Sequence, residues 1–221
     1  MFDHIASRYD FLNHFLSFGI DKLWRRRAMR LIKPFSPIDI LDVATGTGDL
    51  AIAALKTGAK RITGIDISEE MLAVGRNKLK TLGLDHQIVL KKGDSEQLEF
   101  ADAAFDAVTV AFGVRNFENL GKGLSEIHRV LKPGGILCVL EFSKPRIFPV
   151  KQLYNLYSCY ILPFFGKLIS KDNSAYRYLP ESVEEFPDGK NFIACMSKAG
   201  FCGTKEFRQT FGVATIYLGT K

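Results

Sequence analysis

The clearest pattern in the chain is an apolar run that ends in an acid and is followed by a glycine-containing turn. Residues 40–44 (Ile-Leu-Asp-Val-Ala) predict a buried strand, and residues 45–48 (Thr-Gly-Thr-Gly) a tight turn. A helix is predicted over 49–55 and a second strand over 61–66. Because glycines let a backbone approach a ligand closely and an acid ends the second strand, this unit is typical of nucleotide-binding α/β folds.

Two further apolar segments predict strands that end at the same crevice. Residues 87–95 predict a third strand that runs into a Gly-Asp turn, and residues 105–112 predict a fourth. In an open parallel sheet, ligands bind beyond the carboxyl ends of the strands. Asp42, Asp66 and Asp94 all fall at such ends. We therefore expect these acids to line one ligand crevice.

Helical periodicity and an alternating C-terminal segment complete the predicted fold. The predicted helices cover residues 21–32, 68–82, 119–131 and 190–199. Ser68 is a predicted N-cap, and Gly83 and Gly200 are predicted C-caps. Apolar and polar residues alternate over 202–209 and 213–218, which predicts an antiparallel hairpin. The pattern predicts a single α/β domain over 1–221, with a mostly parallel Rossmann-like sheet, helices on both faces and a closing antiparallel hairpin.

Two cofactor classes fit the glycine turn, besides a turn that binds nothing. The turn satisfies a G-x-G-x-x-A form of the dinucleotide fingerprint, in which a pyrophosphate rests on the helix N-terminus. Asp49 would repel a pyrophosphate there, whereas S-adenosylmethionine brings an ammonium and a sulfonium and no phosphate. The loop favours S-adenosylmethionine, with Gly46, Thr47 and Gly48 beside the cofactor and Asp66 accepting from its ribose. A dinucleotide enzyme would also need a second glycine loop, and none follows the third strand.

The turn after the third strand has two interpretations. Asp94 and Ser95 are placed to meet the amino group and ring nitrogens of an adenine. Asp-Ser pairs are also common in turns that bind no ligand, because the side chains bond to their own backbone. We include both residues among the candidate cofactor contacts.

Composition and charge exclude several classes of protein. Four cysteines and four histidines are scattered without metal-ligand or redox spacing, so no metal site is expected. The first residues lack the apolar core of a signal peptide, which favours a cytoplasmic protein. The net charge is +6, with a basic cluster after Trp24. Such a charge can favour nucleic acid or an anionic membrane surface, and the aromatic-basic interleaving of RNA-binding motifs is missing from the sequence, which disfavours nucleic acid.

Four segments carry a family resemblance. They are residues 9–24 (YDFLNHFLSFGIDKLW), 112–116 (FGVRN), 129–143 (RVLKPGGILCVLEFS) and 174–179 (SAYRYL). Together they resemble the ubiquinone/menaquinone biosynthesis C-methyltransferases, which are class I S-adenosylmethionine-dependent methyltransferases. The resemblance implies C-methylation of a polyprenyl quinol, above all demethylmenaquinol. The alternatives are another small acceptor, such as a 2-polyprenyl benzoquinol or another phenol, and a cofactor-bound assembly subunit without activity.

The implied reaction needs a nucleophilic ring carbon, which the hydroquinol supplies after it loses a hydroxyl proton. Resemblance and chemistry together point to Arg115 and Tyr9 as catalytic residues. Arg115 is expected to stabilise the phenolate or orient a water, because its pKa above ~12 prevents it from acting as a base. Asn116 is expected to hold Arg115. The alternatives are a surface salt bridge for Arg115 and a core aromatic for Tyr9.

Two segments outside the sheet pattern predict accessory helices. Residues 1–33 are expected to form an N-terminal helical cap, and residues 145–180 a helical lid. Apolar residues crowd 147–169, but polar residues interrupt them, so the segment is too short and too polar to span a bilayer. The lid either holds an isoprenoid tail at a membrane surface or packs on the sheet. Peripheral membrane contact is expected, and the assembly is left open between monomer and homodimer.

Overall fold

The computed structural model describes residues 19–156 and 181–221 of the chain. Tyr9 and parts of the predicted cap and lid, residues 1–18 and 157–180, lie outside the described residues. The strands are β1 (Asp39–Val43), β2 (Arg61–Asp66), β3 (Ile88–Lys92), β4 (Phe105–Ala111), β5 (Leu131–Phe142), β6 (Cys202–Gln209) and β7 (Ala214–Thr220). The helices are α1 (Asp21–Ile32), α2 (Asp49–Ala54), α3 (Glu69–Leu82), α4 (Leu120–Val130), α5 (Val150–Leu156) and α6 (Lys190–Lys198).

The described strands form one sheet in the order β3-β2-β1-β4-β5-β7-β6. The first five are parallel to one another, and β7 runs antiparallel to both β5 and β6. Central β1 and β4 are mostly buried, as their continuous apolar runs predict for strands covered on both faces. The predicted parallel sheet with an antiparallel C-terminal hairpin is therefore confirmed.

Two hydrophobic cores lie on opposite faces of the sheet. Successive side chains of a strand point to opposite faces, so Ile40 enters one core and Leu41 the other. The first core includes Trp24 of α1 and residues of α2 and α3. The second includes Leu124 of α4 and Phe192 of α6. Helices cover both faces, as predicted.

Local signals set most of the element ends. The Ser68 hydroxyl accepts from Met71 N at 3.2 Å and begins α3, and Gly83 ends that helix in the left-handed conformation. Several predicted boundaries differ from the observed ones by one or two residues, such as the last strand, predicted over 213–218 and observed over Ala214–Thr220. At the end of α4 the prediction assigns Leu131 to the helix, but Leu131 pairs with Phe105 as the first residue of β5, ahead of a register shift in the pairing with β4. Pairing with a neighbouring strand, which sequence does not report, decides this end.

Gly64 of β2 is closely packed against Leu90 and against Thr45 of the glycine turn, and a substitution there tests this packing. A Cβ there would lie 2.6 Å from Leu90 Cδ2 and 2.8 Å from Thr45 Oγ1. We expect Gly64→Ala to lower the free energy of unfolding by about 1–3 kcal/mol, measured by urea denaturation, because the added methyl overpacks this site. Gly121→Ala in α4 is the matched control, since its Cβ would meet only Asn119 Oδ1, at 3.5 Å. Equal effects of the two substitutions would contradict this account.

Candidate active site

A cavity of about 290 Å³ opens at the carboxyl ends of the central parallel strands. The predicted site residues in its wall are Gly46, Thr47, Asp66, Asp94 and Ser95. Asp42 of β1 and Asn116 line it as well. Gly48 and Arg115 are not among the lining residues. The strand-end argument thus brings five of the six candidate cofactor contacts to one wall.

The glycine turn is bonded to the neighbouring strand through Asp66. Gly46 N donates to Asp66 Oδ2 at 2.8 Å, and Ser68 N donates to Asp66 Oδ1 at 2.9 Å. A carboxylate oxygen can accept more than one hydrogen bond, so Asp66 can hold both backbone groups and still accept from a ligand hydroxyl. Gly48 is the N-cap of α2 and has a φ of +83°, a conformation that favours glycine.

Asp94 forms a turn in which its side chain bonds to the local backbone, which is one of the two interpretations of the Asp-Ser pair. Its Oδ1 accepts from Glu96 N at 2.8 Å, and its carbonyl accepts from Gln97 N at 3.2 Å. Asp94 and Ser95 also lie in the cavity wall. The two interpretations are therefore compatible, because a residue can form the turn and also lie in the cavity wall.

Asp42 is a fully buried acid in the cavity wall. Thr45 Oγ1 and Thr109 Oγ1 each donate to its carboxylate at 2.6 Å. Burial raises the pKa of Asp42 to about 6, although these two hydrogen bonds and the nearby charge of Arg25 oppose the increase. Asp42 therefore changes its protonation in a range that solution experiments can reach.

The environment of Asp49 differs from the one expected from sequence. Its carboxylate lies 2.9 Å from Lys78 Nζ and 3.5 Å from Arg25 Nη1, and Lys78 Nζ also donates to Thr47 Oγ1 at 3.0 Å. Two cations therefore compensate the charge of Asp49. The expectation that Asp49 repels a pyrophosphate stays a prediction, and its basis is weaker than the sequence suggested because sequence spacing did not reveal these two partners. The antiparallel β7 beside β5 is the better argument against a dinucleotide fold.

Two residues with strained backbone, Ala44 after β1 and Phe112 after β4, line the cavity. Ala44 and Phe112 both have positive φ values, +52° and +58°, which cost energy in residues other than glycine. The Phe112 ring packs against Trp24 of α1 and Phe142 of β5, with ring centroids 6.2 and 4.5 Å away. This aromatic cluster connects the first helix to the ends of β4 and β5.

Arg115 lies beside the cavity wall, in a buried ion pair. Its Nη1 donates to Glu141 Oε1 at 2.7 Å and to the Phe112 carbonyl, and its Nε donates to Ser182 Oγ at 3.3 Å. The Arg115 side chain is 5% exposed and that of Glu141 is fully buried. The alternative of a surface salt bridge is wrong, since the pair is buried. The catalytic role of Arg115 stays a prediction, and Tyr9 lies outside the described residues.

Sequence reasoning did not include Arg25 and Glu141 among the candidate residues. Arg25 was treated as part of an exposed basic cluster, yet it is only 9% exposed and lines the cavity. Helical spacing carried a signal, because residue 25 shares a face with Asp21, Ala28 and Ile32, all of which are buried. Glu141 ends an apolar strand, and only the neighbouring β4 brings Arg115 to it.

The described residues hold neither a cluster of metal ligands nor a membrane-spanning helix. Within 19–156 and 181–221, no group of three His, Cys, Asp or Glu side chains could hold a metal ion. Among the helices that the structure describes, none is long and apolar enough to cross a membrane.

The sheet order and the strand-end cavity define the fold of a class I methyltransferase, and solved structures agree. A SAM-dependent methyltransferase from Thermotoga maritima superposes with a TM-score of 0.70 at 20% identity, covering 100% of both chains. A phosphoethanolamine N-methyltransferase from Haemonchus contortus, solved with S-adenosyl-L-methionine, gives a TM-score of 0.63 at 16% identity, covering 88% of this chain and 52% of its own.

Sequence comparison gives the particular family. The model of the ubiE/COQ5 methyltransferase family matches residues 1–221, and the chain belongs to this family. A demethylmenaquinone methyltransferase from Bacteroides fragilis is 52% identical over 222 residues, which cover 100% of this chain and 91% of the relative. A ubiquinone/menaquinone biosynthesis C-methyltransferase from Geotalea daltonii is 49% identical, with 100% and 94% covered. The family resemblance seen in the four sequence segments is confirmed.

The raised pKa of Asp42 predicts a specific dependence of stability on pH. Folding raises this pKa from 3.8 to about 6, so the folded protein binds the proton more tightly than the unfolded chain. This contribution to stability is complete below pH ~4 and is lost as the pH rises to ~6, by on the order of 3 kcal/mol. The difference in unfolding free energy between wild type and Asp42→Asn should therefore fall over that range, measured by urea denaturation. A constant difference would contradict the raised pKa.

Proposed function

We propose that the protein binds S-adenosylmethionine in the strand-end cavity and methylates a ring carbon of demethylmenaquinol. The observation that carries the proposal is the similarity over the whole chain to relatives named demethylmenaquinone methyltransferase. Other relatives of similar identity are named ubiquinone/menaquinone biosynthesis C-methyltransferase, which makes a polyprenyl benzoquinol the second candidate acceptor.

The donors and acceptors in the cavity wall fit this cofactor. Asp66 supplies a carboxylate for the two ribose hydroxyls, and Asp94 and Ser95 lie where the adenine would follow at the end of β3. Gly46 and Thr47 offer a close backbone approach to the rest of the molecule. Gly48 closes the turn, because its N–H donates to the Thr45 carbonyl at 2.9 Å. When bound, S-adenosylmethionine supplies an electrophilic methyl group on a sulfonium.

The acceptor has to be the reduced form of the quinone. An oxidised quinone has no electron-rich ring carbon, whereas a hydroquinol that loses a hydroxyl proton becomes a phenolate whose ring carbon can attack a methyl group. The methyl–sulfur bond would break, with S-adenosylhomocysteine as the leaving group, and the ring carbon would lose its own proton to restore the aromatic ring. The protein must align this carbon with the methyl group and assist removal of the proton. These two tasks define what the catalytic residues do.

Arg115 is proposed to stabilise the phenolate or orient a water that takes the proton. Its guanidinium follows β4, on the side of the cavity away from the proposed ribose position at β2. Glu141 and Ser182 hold the guanidinium in one orientation, which suits a preorganised charge. Tyr9 is the second proposed catalytic residue, on the basis of the family resemblance.

Access to a polyprenyl acceptor supports peripheral membrane binding of a cytoplasmic protein. At and before α5, four large apolar side chains are mostly exposed: Ile147, Phe148, Leu153 and Leu156. Arg26, Arg30 and Lys33 line a shallow basic groove beside α1. Exposed apolar residues and basic residues are the two features that bind a protein to an anionic bilayer surface.

The redox state of the acceptor tests the proposed reaction. We expect methyl transfer from labelled S-adenosylmethionine to demethylmenaquinone only after reduction with dithionite, because only the quinol provides a carbon nucleophile. A reduced demethylated benzoquinone, assayed in parallel, distinguishes the two candidate acceptors. Equal rates with strictly oxidised quinone would exclude this mechanism. Turnover of a soluble phenol or amine without turnover of either quinol would exclude the acceptor class.

Substitution of Arg115 separates a catalytic role from a structural one. Arg115→Lys retains a positive charge for Glu141 but loses the planar fork. We expect kcat to fall by about tenfold to a thousandfold, the range for losing one preorganised oxyanion donor, with little change in the affinity for S-adenosylhomocysteine. Thermal unfolding checks that the buried ion pair persists. Normal turnover, or a loss explained by weaker cofactor binding, would show that Arg115 is structural or contacts the cofactor.

A further inference from the structure

Arg25 of α1 is a buried cation in the wall of the proposed cofactor cavity. Its side chain forms an ion pair with Asp21, one turn earlier on the helix, and its Nη1 lies 3.5 Å from Asp49 Oδ2. Its Cζ lies 5.7 Å from the centre of the Phe112 ring. Helix, turn and β4 therefore hold this guanidinium in place at the cavity.

The guanidinium has a hydrogen-bond donor that is not used. Nε of Arg25 is buried and has no hydrogen-bond partner in the part of the chain that the structure describes. A buried donor without a partner is unfavourable, and native proteins rarely retain one without a reason. A ligand carboxylate in the cavity that Arg25 lines could supply the partner, because Arg binds carboxylates through paired donors.

The position of Arg25 in the fold indicates which part of the cofactor it faces. The proposed ribose and adenine contacts, Asp66 and Asp94, follow β2 and β3. Arg25 contacts Phe112 at the end of β4, on the other side of β1 in the sheet order. A cofactor whose adenosine lies over β2 and β3 therefore extends its amino-acid end across the glycine turn toward Arg25.

We infer that Arg25 binds the carboxylate of the methionine portion of the cofactor, and this inference rests on the proposed function. The amino-acid end of the cofactor carries both a carboxylate and an ammonium. The cavity wall holds charges of both signs: Arg25 suits the carboxylate, and the acid Asp42 lies in the same wall. Arg25 thereby selects ligands that carry an amino acid over those that carry adenosine alone.

The test compares two ligands that differ only in this carboxylate. Calorimetry measures binding of S-adenosylhomocysteine and of its decarboxylated analogue, which retains the adenosine, the sulfur and the amine. We expect Arg25→Gln to bind S-adenosylhomocysteine roughly tenfold to a hundredfold more weakly, the range for a lost charge-assisted hydrogen bond, and to bind the analogue as wild type does.

Two control variants define the alternatives. Arg27→Gln removes an exposed cation from the same helix and should change neither affinity. Asp66→Ala should lower the affinity for both ligands alike, because both carry the ribose. If Arg25→Gln does not fold, Arg25→Lys preserves the charge beside Asp21. Its affinity for S-adenosylhomocysteine should still fall several-fold, with no change for the decarboxylated analogue, because an ammonium lacks the paired donors of a guanidinium.

Several outcomes would overturn the inference. If Arg25→Gln lowered the affinity for both ligands equally, Arg25 would be a purely structural residue. The same conclusion would follow if Arg25→Lys kept the wild-type preference for S-adenosylhomocysteine over its decarboxylated analogue. A wild-type protein that binds both ligands equally would show that nothing in the cavity recognises the carboxylate. Wild-type protein that binds neither ligand would instead contradict the proposed cofactor, which separates that failure from a failure of the role of Arg25.

Discussion

The Asp66 carboxylate is the contact on which the site depends. It accepts from the backbone of the glycine turn with one oxygen and from the backbone before α3 with the other. β1, β2 and the start of α3 are thereby held in one arrangement at the edge of the sheet. Because this acid is held by backbone groups from two sides, it presents its remaining acceptor capacity in a defined direction, as recognition of a ribose diol requires.

Charges around the cavity are arranged as mutually compensating pairs, of which Arg25–Asp21 and Arg115–Glu141 are buried and Lys78–Asp49 is half-buried. Lys78 bridges Asp49 and Thr47, Arg25 joins Asp21 to the same acid, and Arg115 pairs with Glu141. Burial makes each unpaired charge costly, so these pairs hold the helices α1 and α3 and the strand β5 in register with the glycine turn. The cavity wall can therefore hold both acids and bases close together, which suits a ligand that carries charges of both signs.

Much of the site was predictable from local sequence. Apolar runs that end in acids located β1, β2 and the turn between them, and capping residues located α3. Because ligands bind at the carboxyl ends of parallel strands, Gly46, Thr47 and Asp66 could be placed together beside one crevice. These predictions succeed because spacing along one short segment carries the whole geometric requirement.

Contacts between distant segments decided the rest. Sequence by itself determined the fold class, the glycine turn and the acids at the strand ends, through periodicity and turn chemistry. Only the tertiary structure decided that Asp49 is neutralised by Lys78, that Arg115 is buried against Glu141, and that Arg25 faces inward rather than toward solvent. The physical reason is that charge is a property of a residue, whereas its compensation and burial are properties of neighbours that folding brings from elsewhere in the chain.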